Sequence, residues 1–148
     1  MTLDQDGAQL GLSKQQVVER SGVVPNQRTP EIVLYTKDYQ IIVNFRTEPN
    51  GLKGPVNFVF YRKIADLDRA TRLMYEDPSV SQKDLFTTLS DGDVQKVLAH
   101  YTEENKFTWK KVGADHWRRT DDAEACVSHG MFVVATKEAL SLLSWFPK

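Results

Sequence analysis

The side chains best equipped for chemistry in this sequence lie in its C-terminal half: three histidines, one cysteine and a run of mixed charges. His100, His116 and His129 are candidates for a metal or acid–base set, but their spacing offers neither an i, i+4 pair nor a C-x-x-C partner. Asp115, Asp121 and Asp122 beside Arg118 and Arg119 suit carboxylate chemistry with the arginines as an anion clamp. Turn chemistry explains the same residues more simply, because Asp favours loop corners and Arg the solvated face of an antiparallel strand. A small enzyme with a site near Asp115, His116, Asp122 and Arg118 is therefore the alternative reading. Asp91-Gly92-Asp93 opens like a calcium loop yet lacks the further acids and the closing Glu, which makes it a helix cap. Strand alternation would give Cys126 the neighbours Glu124 and Ser128, neither of which lowers a thiol pKa, so a nucleophile is not expected. No catalytic, cofactor-binding or metal-binding residue follows from these patterns.

The aromatic residues say more. Val56 to Tyr61 (VNFVFY) make both faces of one strand apolar, as happens when a sheet is covered on two sides or when one face meets a partner. Trp117, between His116 and Arg118, raises the same question. Tryptophan, tyrosine and arginine are the usual anchors of protein interfaces, so a sheet face carrying Tyr39, Tyr61, Trp117 and Arg119 is the expected protein-binding surface.

Those residues need a scaffold, and 148 residues suffice for one domain with a hydrophobic core. Hydrophobic content of 41% with three Trp, five Tyr and seven Phe argues for a folded chain. A formal net charge of -1 gives no electrostatic footprint for phosphate neutralisation, so no nucleic-acid partner is expected. A single cysteine excludes an intrachain disulfide and a thiolate zinc cluster. No apolar run is long enough to span a bilayer, and the N-terminus has no export signal as written.

Residues 1–10 read as a flexible leader, and 11–148 as a single α+β domain. Ser13 with Gln16 forms a capping box and Gly22 ends the short helix. Residues 23–31, with Pro25 and Pro30, read as an irregular crossover. A DNA-reading helix-turn-helix over residues 13–31, the mark of a cytoplasmic regulator, needs a second helix that these prolines disfavour. Strands are expected at 31–36, 39–47 and 56–62, the first two joined by a turn at Lys37-Asp38. Helices over 64–76 and 81–89 would form a connector, and Val94, Val97, Leu98 and Tyr101 place another helix from Asp91 to about Glu104. Strands at 106–112, 116–120, 123–128 and 131–136 follow, then an amphipathic segment from Lys137 to Trp145. The expected fold is thus two helix-plus-antiparallel-meander units, 11–63 and 91–148, joined by a helical connector, 64–90.

The stretch GLSKQQVVERSGVVPNQRTPEIVLYTKDYQIIVNF followed by VNFVFYR resembles the SmpA/OmlA-type module of bacterial envelope lipoproteins, matching at Gly11, Leu12, Ser13, Val17, Gly22, Pro25, Tyr35, Val43 and Phe45. The doubled helix-plus-meander plan is similar to the beta-lactamase inhibitor protein fold. The sequence departs from the lipoprotein pattern in having no lipobox cysteine ahead of Gly11. The resemblance implies a non-catalytic protein-binding role, without cofactor, at the bacterial envelope or outside the cell if a signal was trimmed, and otherwise in the cytoplasm. The partner is expected to be a protein, and the chain itself a monomer or weak dimer.

Overall fold

Local sequence signals set most element boundaries. In the computed structural model, which describes residues 8–22, 31–50, 53–65 and 85–143, Ser13 caps helix α1 (Lys14–Ser21). Its hydroxyl accepts from the Gln16 amide while the Gln16 side chain accepts from the Ser13 amide. Gly22 ends the helix at φ 72°, in the left-handed region where a Cβ would be strained, and its N–H returns to Val18 O. The crossover expected at 23–31 lies outside the described residues except for Glu31.

The alternation of Tyr39, Ile41, Val43 and Phe45 with polar or half-buried residues produces strand β2 (Tyr39–Thr47), and β1 (Ile32–Tyr35) pairs with it across the Lys37-Asp38 turn. Strand β3 (Lys53–Ile64) runs longer than expected at both ends and tolerates Pro55 where the register with β2 is irregular. Ile64 therefore belongs to a strand rather than to the first connector helix. Residues 85–90 are not helical either: Phe86–Thr87 form β4, which pairs with Lys63 and Ile64. Residues 66–84 of the expected connector lie outside the described residues.

Helix α2 (Asp91–His100) is followed by strands β5 (Trp109–Gly113), β6 (His116–Arg119), β7 (Glu124–Ser128) and β8 (Met131–Ala135). It stops short of Glu104 because Thr102 to Lys106 offers no apolar residue to extend its stripe, and Glu103, Glu104 and Asn105 turn left-handed at φ 49°, 60° and 70°. The β7–β8 hairpin turns on His129 and Gly130, both at positive φ, as a type I′ turn requires. The closing helix α3 (Lys137–Leu140) covers less than the segment expected to run to Trp145, and residues 144–148 lie outside the described residues.

One antiparallel sheet holds the eight strands of the described residues in the order β1-β2-β3-β8-β7-β6-β5, with β4 beside the end of β3. The fold is α+β. The β3–β8 pair, from Phe58↔Ala135 to Tyr61↔Phe132, joins the strands on either side into a continuous surface. Strand alternation gives that surface two apolar faces. On one, Ile41, Val43, Val59, Tyr61, Phe132 and Val134 pack under α1 and α2 with Val17, Val94, Val97 and Tyr101. Ala8 and Leu10 are buried in the same cluster, so this part of the expected leader belongs to the core; residues 1–7 lie outside the described residues. On the other face, Cys126, Val133 and Ala135 pack with Ala139, Leu143 and the half-buried Phe58, Phe60 and Leu140. Among the described residues, no helix is long and apolar enough to cross a membrane.

Phe132 is fully buried at the β3–β8 junction and meets Trp117 edge to face, with ring centroids 5.9 Å apart. Phe132→Ala is expected to lower the unfolding free energy by about 3–5 kcal/mol in urea titration. Leu142→Ala, at a side chain 71% exposed, is expected to change it by less than about 0.5 kcal/mol.

Candidate functional site

Helix α2 lies over the sheet because both of its ends are tied down. At the N-terminus, Ser90 and Asp93 form a capping box in which the Asp93 carboxylate accepts from the Ser90 amide at 2.8 Å. The same carboxylate accepts a short hydrogen bond from Tyr39 Oη on β2 and another from Lys63 Nζ on β3 at 2.9 Å. Burial alone would raise the Asp93 carboxyl. The hydrogen bonds from Tyr39, Ser90 and Lys63 outweigh it and hold the group well below the usual carboxylate range. Burial and the Asp93 charge push the Tyr39 phenol upward in turn. At the residue that follows the last turn, Tyr101 Oη meets Tyr61 Oη at 2.7 Å, satisfying both hydroxyls inside the core.

At the C-terminus, Arg119 of β6 donates from Nη1 to Tyr101 O at 3.0 Å and reaches Glu103 at 3.4 Å. Its Nε and Nη2 grip Asp121 through two bonds of 2.7 Å, which hold the Asp121 carboxyl below its ordinary value. The guanidinium carbon also lies 4.0 Å from the Phe107 ring centroid and 5.8 Å from that of Trp109. A single side chain, 4% exposed, thus fixes the end of α2, the loop after it, the start of β5 and the β6–β7 turn.

Between α2 and the β5–β6 end of the sheet these ties leave an open cleft of about 430 Å³. Leu98, Phe107, Trp109 and Trp117 give it apolar walls; Gln95, Thr102, Asn105 and Thr108 add polar groups. Lys111 is the one charged lining residue, with Nζ 5.7 Å from the Trp117 ring centroid. The indole N–H of Trp109 is buried and has no acceptor among the described residues. Such an arrangement can hold an apolar or aromatic side chain against flat rings and offer hydrogen bonds at the rim.

The four residues expected on a binding face do share one face, but that face is the one under the helices. Tyr39, Tyr61, Trp117 and Arg119 are 2%, 0%, 9% and 4% exposed, and only Trp117 borders the cleft. Three of the four hold α2 against the sheet: Tyr39 through Asp93, Tyr61 through Tyr101 and Arg119 through Tyr101 O. The residues of the alternative enzyme reading are dispersed. His116 bonds to Glu124, which also lies 3.8 Å from Arg118, while Asp115 and Asp122 sit on exposed turns, Asp122 being 3.9 Å from Lys137. None of Asp115, His116, Arg118 and Asp122 lines the cleft.

His100 donates from Nε2 to Ala8 O at 2.7 Å and so ties down the chain before α1; His129 is exposed on its turn. Among the described residues no group of three His, Cys, Asp or Glu is placed to hold a metal ion. Cys126 is fully buried, and burial pushes its thiol up to about 12. Sequence reasoning missed Phe107, Trp109 and Lys111 as site residues because their alternation marks a core-facing strand. The signal available was Trp109-x-Lys111 on the face that also carries Trp117.

Because the Asp93 carboxyl is depressed in the folded chain, its contribution to stability is present above the unfolded value of about 3.9 and is lost as pH falls toward the folded value. Asp93→Asn is expected to cost about 1–3 kcal/mol at pH 7 and progressively less below about pH 4, by urea unfolding at the two pH values. An unchanged gap at low pH would contradict this assignment.

Comparison of the chain with protein-family models, with curated proteins and with solved structures finds no match in any of the three.

Proposed function

We propose that this chain is a non-catalytic protein-binding module of a bacterial exported or envelope protein, built from two helix-plus-meander units in tandem. The resemblance of residues 11–62 to the SmpA/OmlA-type module supports the cellular setting. The order of elements, α1 before β1–β3 and α2 before β5–β8, supports the tandem plan.

The observation that carries the reading is the aromatic cleft between α2 and the β5–β6 end of the sheet. Both faces of the central strands are taken up by packing, which leaves binding to this margin of the fold. A tryptophan partly open to solvent, Trp109, beside the buried Trp117 and rimmed by amide and hydroxyl groups and one lysine, is the composition of an interface pocket that takes an anchor side chain.

Ala99 lines the cleft from the exposed side of α2, so Ala99→Trp fills it without entering the core. The test is selection of a displayed library of random short peptides on the intact chain and on Ala99→Trp, with circular dichroism to verify that the variant is folded. Enrichment on the intact chain that disappears with Ala99→Trp is expected. Peptides that keep their affinity for the variant would move binding away from the cleft, and no enrichment on either would remove the reading.

A further inference from the structure

We propose that the partner segment docks by adding an extended, acidic strand to the free edge of β5, with its apolar side chains in the cleft. This rests on the binding role assigned to the cleft and names its occupant.

The backbone makes the first part of the case. β5 ends the sheet, and among the described residues no strand pairs with its far edge. Thr120 N donates to Thr108 O at 3.0 Å, so the alternation of an antiparallel ladder turns Thr108 and Lys110 toward β6 and turns the amides and carbonyls of Trp109 and Lys111 outward. Trp109 and Lys111 are also the β5 residues whose side chains line the cleft. One pair of residues thus offers both an unpaired backbone edge and the pocket beside it. A strand paired there sets the side chains opposite Trp109 and Lys111 on the cleft face. It also brings an acceptor within the surroundings of the unpartnered Trp109 indole.

Charge selects the occupant. Lys106, Lys110 and Lys111 are exposed, and none makes an ion pair with a described residue; Arg118 adds a fourth exposed base on β6. Glu103 and Asp121 are already held by Arg119, and Glu124 lies between His116 and Arg118, which leaves Glu104 and Asp115 against the three lysines. Lysines on a sheet edge discourage pairing with another copy of the same edge, because two β5 strands laid together would set lysine against lysine. The same residues attract a strand that carries carboxylates.

The experiment uses the full chain and fluorescein-labelled synthetic peptides: an alternating Glu/Val peptide, its Lys/Val counterpart, and two Glu/Val peptides N-methylated on one or the other alternate set of residues. Fluorescence anisotropy is expected to show the Glu/Val peptide binding at least about tenfold tighter than Lys/Val. The Lys110→Glu, Lys111→Glu double variant is expected to reverse that order. N-methylation on the set facing β5 is expected to abolish binding, and on the other set to leave it intact. Equal binding of Glu/Val and Lys/Val overturns the charge selection, and equal binding of the two N-methylated peptides overturns strand addition. If library-selected peptides occupy the cleft while Glu/Val does not bind, the acidic-strand inference fails and the binding role stands. If Ala99→Trp leaves every peptide bound, binding lies away from the cleft and the acidic-strand inference fails with it; if no peptide binds at all, the binding role itself fails.

Discussion

Two buried charges hold one helix against the sheet, and the rest of the architecture near the cleft depends on them. Asp93 sits at the N-terminus of α2, where the helix dipole favours an anion, and shares its oxygens among a cap, a tyrosine and a lysine. Arg119 meets the other end, where exposed carbonyls favour a cation, and its aromatic neighbours cover the faces of the guanidinium. Each charge makes four hydrogen bonds, and such pairing is the condition for tolerating it under a hydrophobic layer. With both ends fixed, α2 stands off the outer strands at a set distance, and the cleft is the space it cannot fill.

The sheet explains why binding is assigned to a margin. Strands β3 and β8 are apolar on both sides because each side is roofed, one by α1 and α2, the other by α3 and the residues after it. Cys126, in the middle of the second layer, is therefore a packing residue whose thiol has no access to solvent. Toward β5 the roof thins, and exposed residues run without interruption from Lys110 to Asp115. The chemistry of that strand, alternating tryptophan, lysine and an unpaired backbone, differs from the interior because it is the last strand of the sheet.

Much of the fold was legible in the residues. Both capping boxes, the boundaries of β2 and the turns at Lys37-Asp38 and His129-Gly130 follow from short-range rules that tertiary packing did not override. β4 was not legible, since two residues carry no period, and β3 outran its apolar run because pairing with β2 extends past Gly54-Pro55. Alternation showed that Tyr39, Tyr61, Trp117 and Arg119 share a face, yet it cannot tell a face that is roofed from one that awaits a partner. Arg119 illustrates the difficulty: nothing local to it announces Tyr101 or Phe107, which lie 18 and 12 residues earlier. The cleft escaped notice for the same reason, being assembled from α2, its following loop and two strands.

The position of β8 carries a consequence for the nascent chain. Among the described strands it is the last in chain order, yet it lies at the centre of the sheet, between β3 and β7. Until residues 131–135 have emerged, β3 lacks the neighbour that its Phe58-to-Tyr61 segment requires, and the β1–β3 hairpins and the β5–β7 hairpins have no common seam. The sheet can therefore close only after residues 131–135 are available to pair, and a chain stopped before them is left with two half-sheets whose inner edges are open.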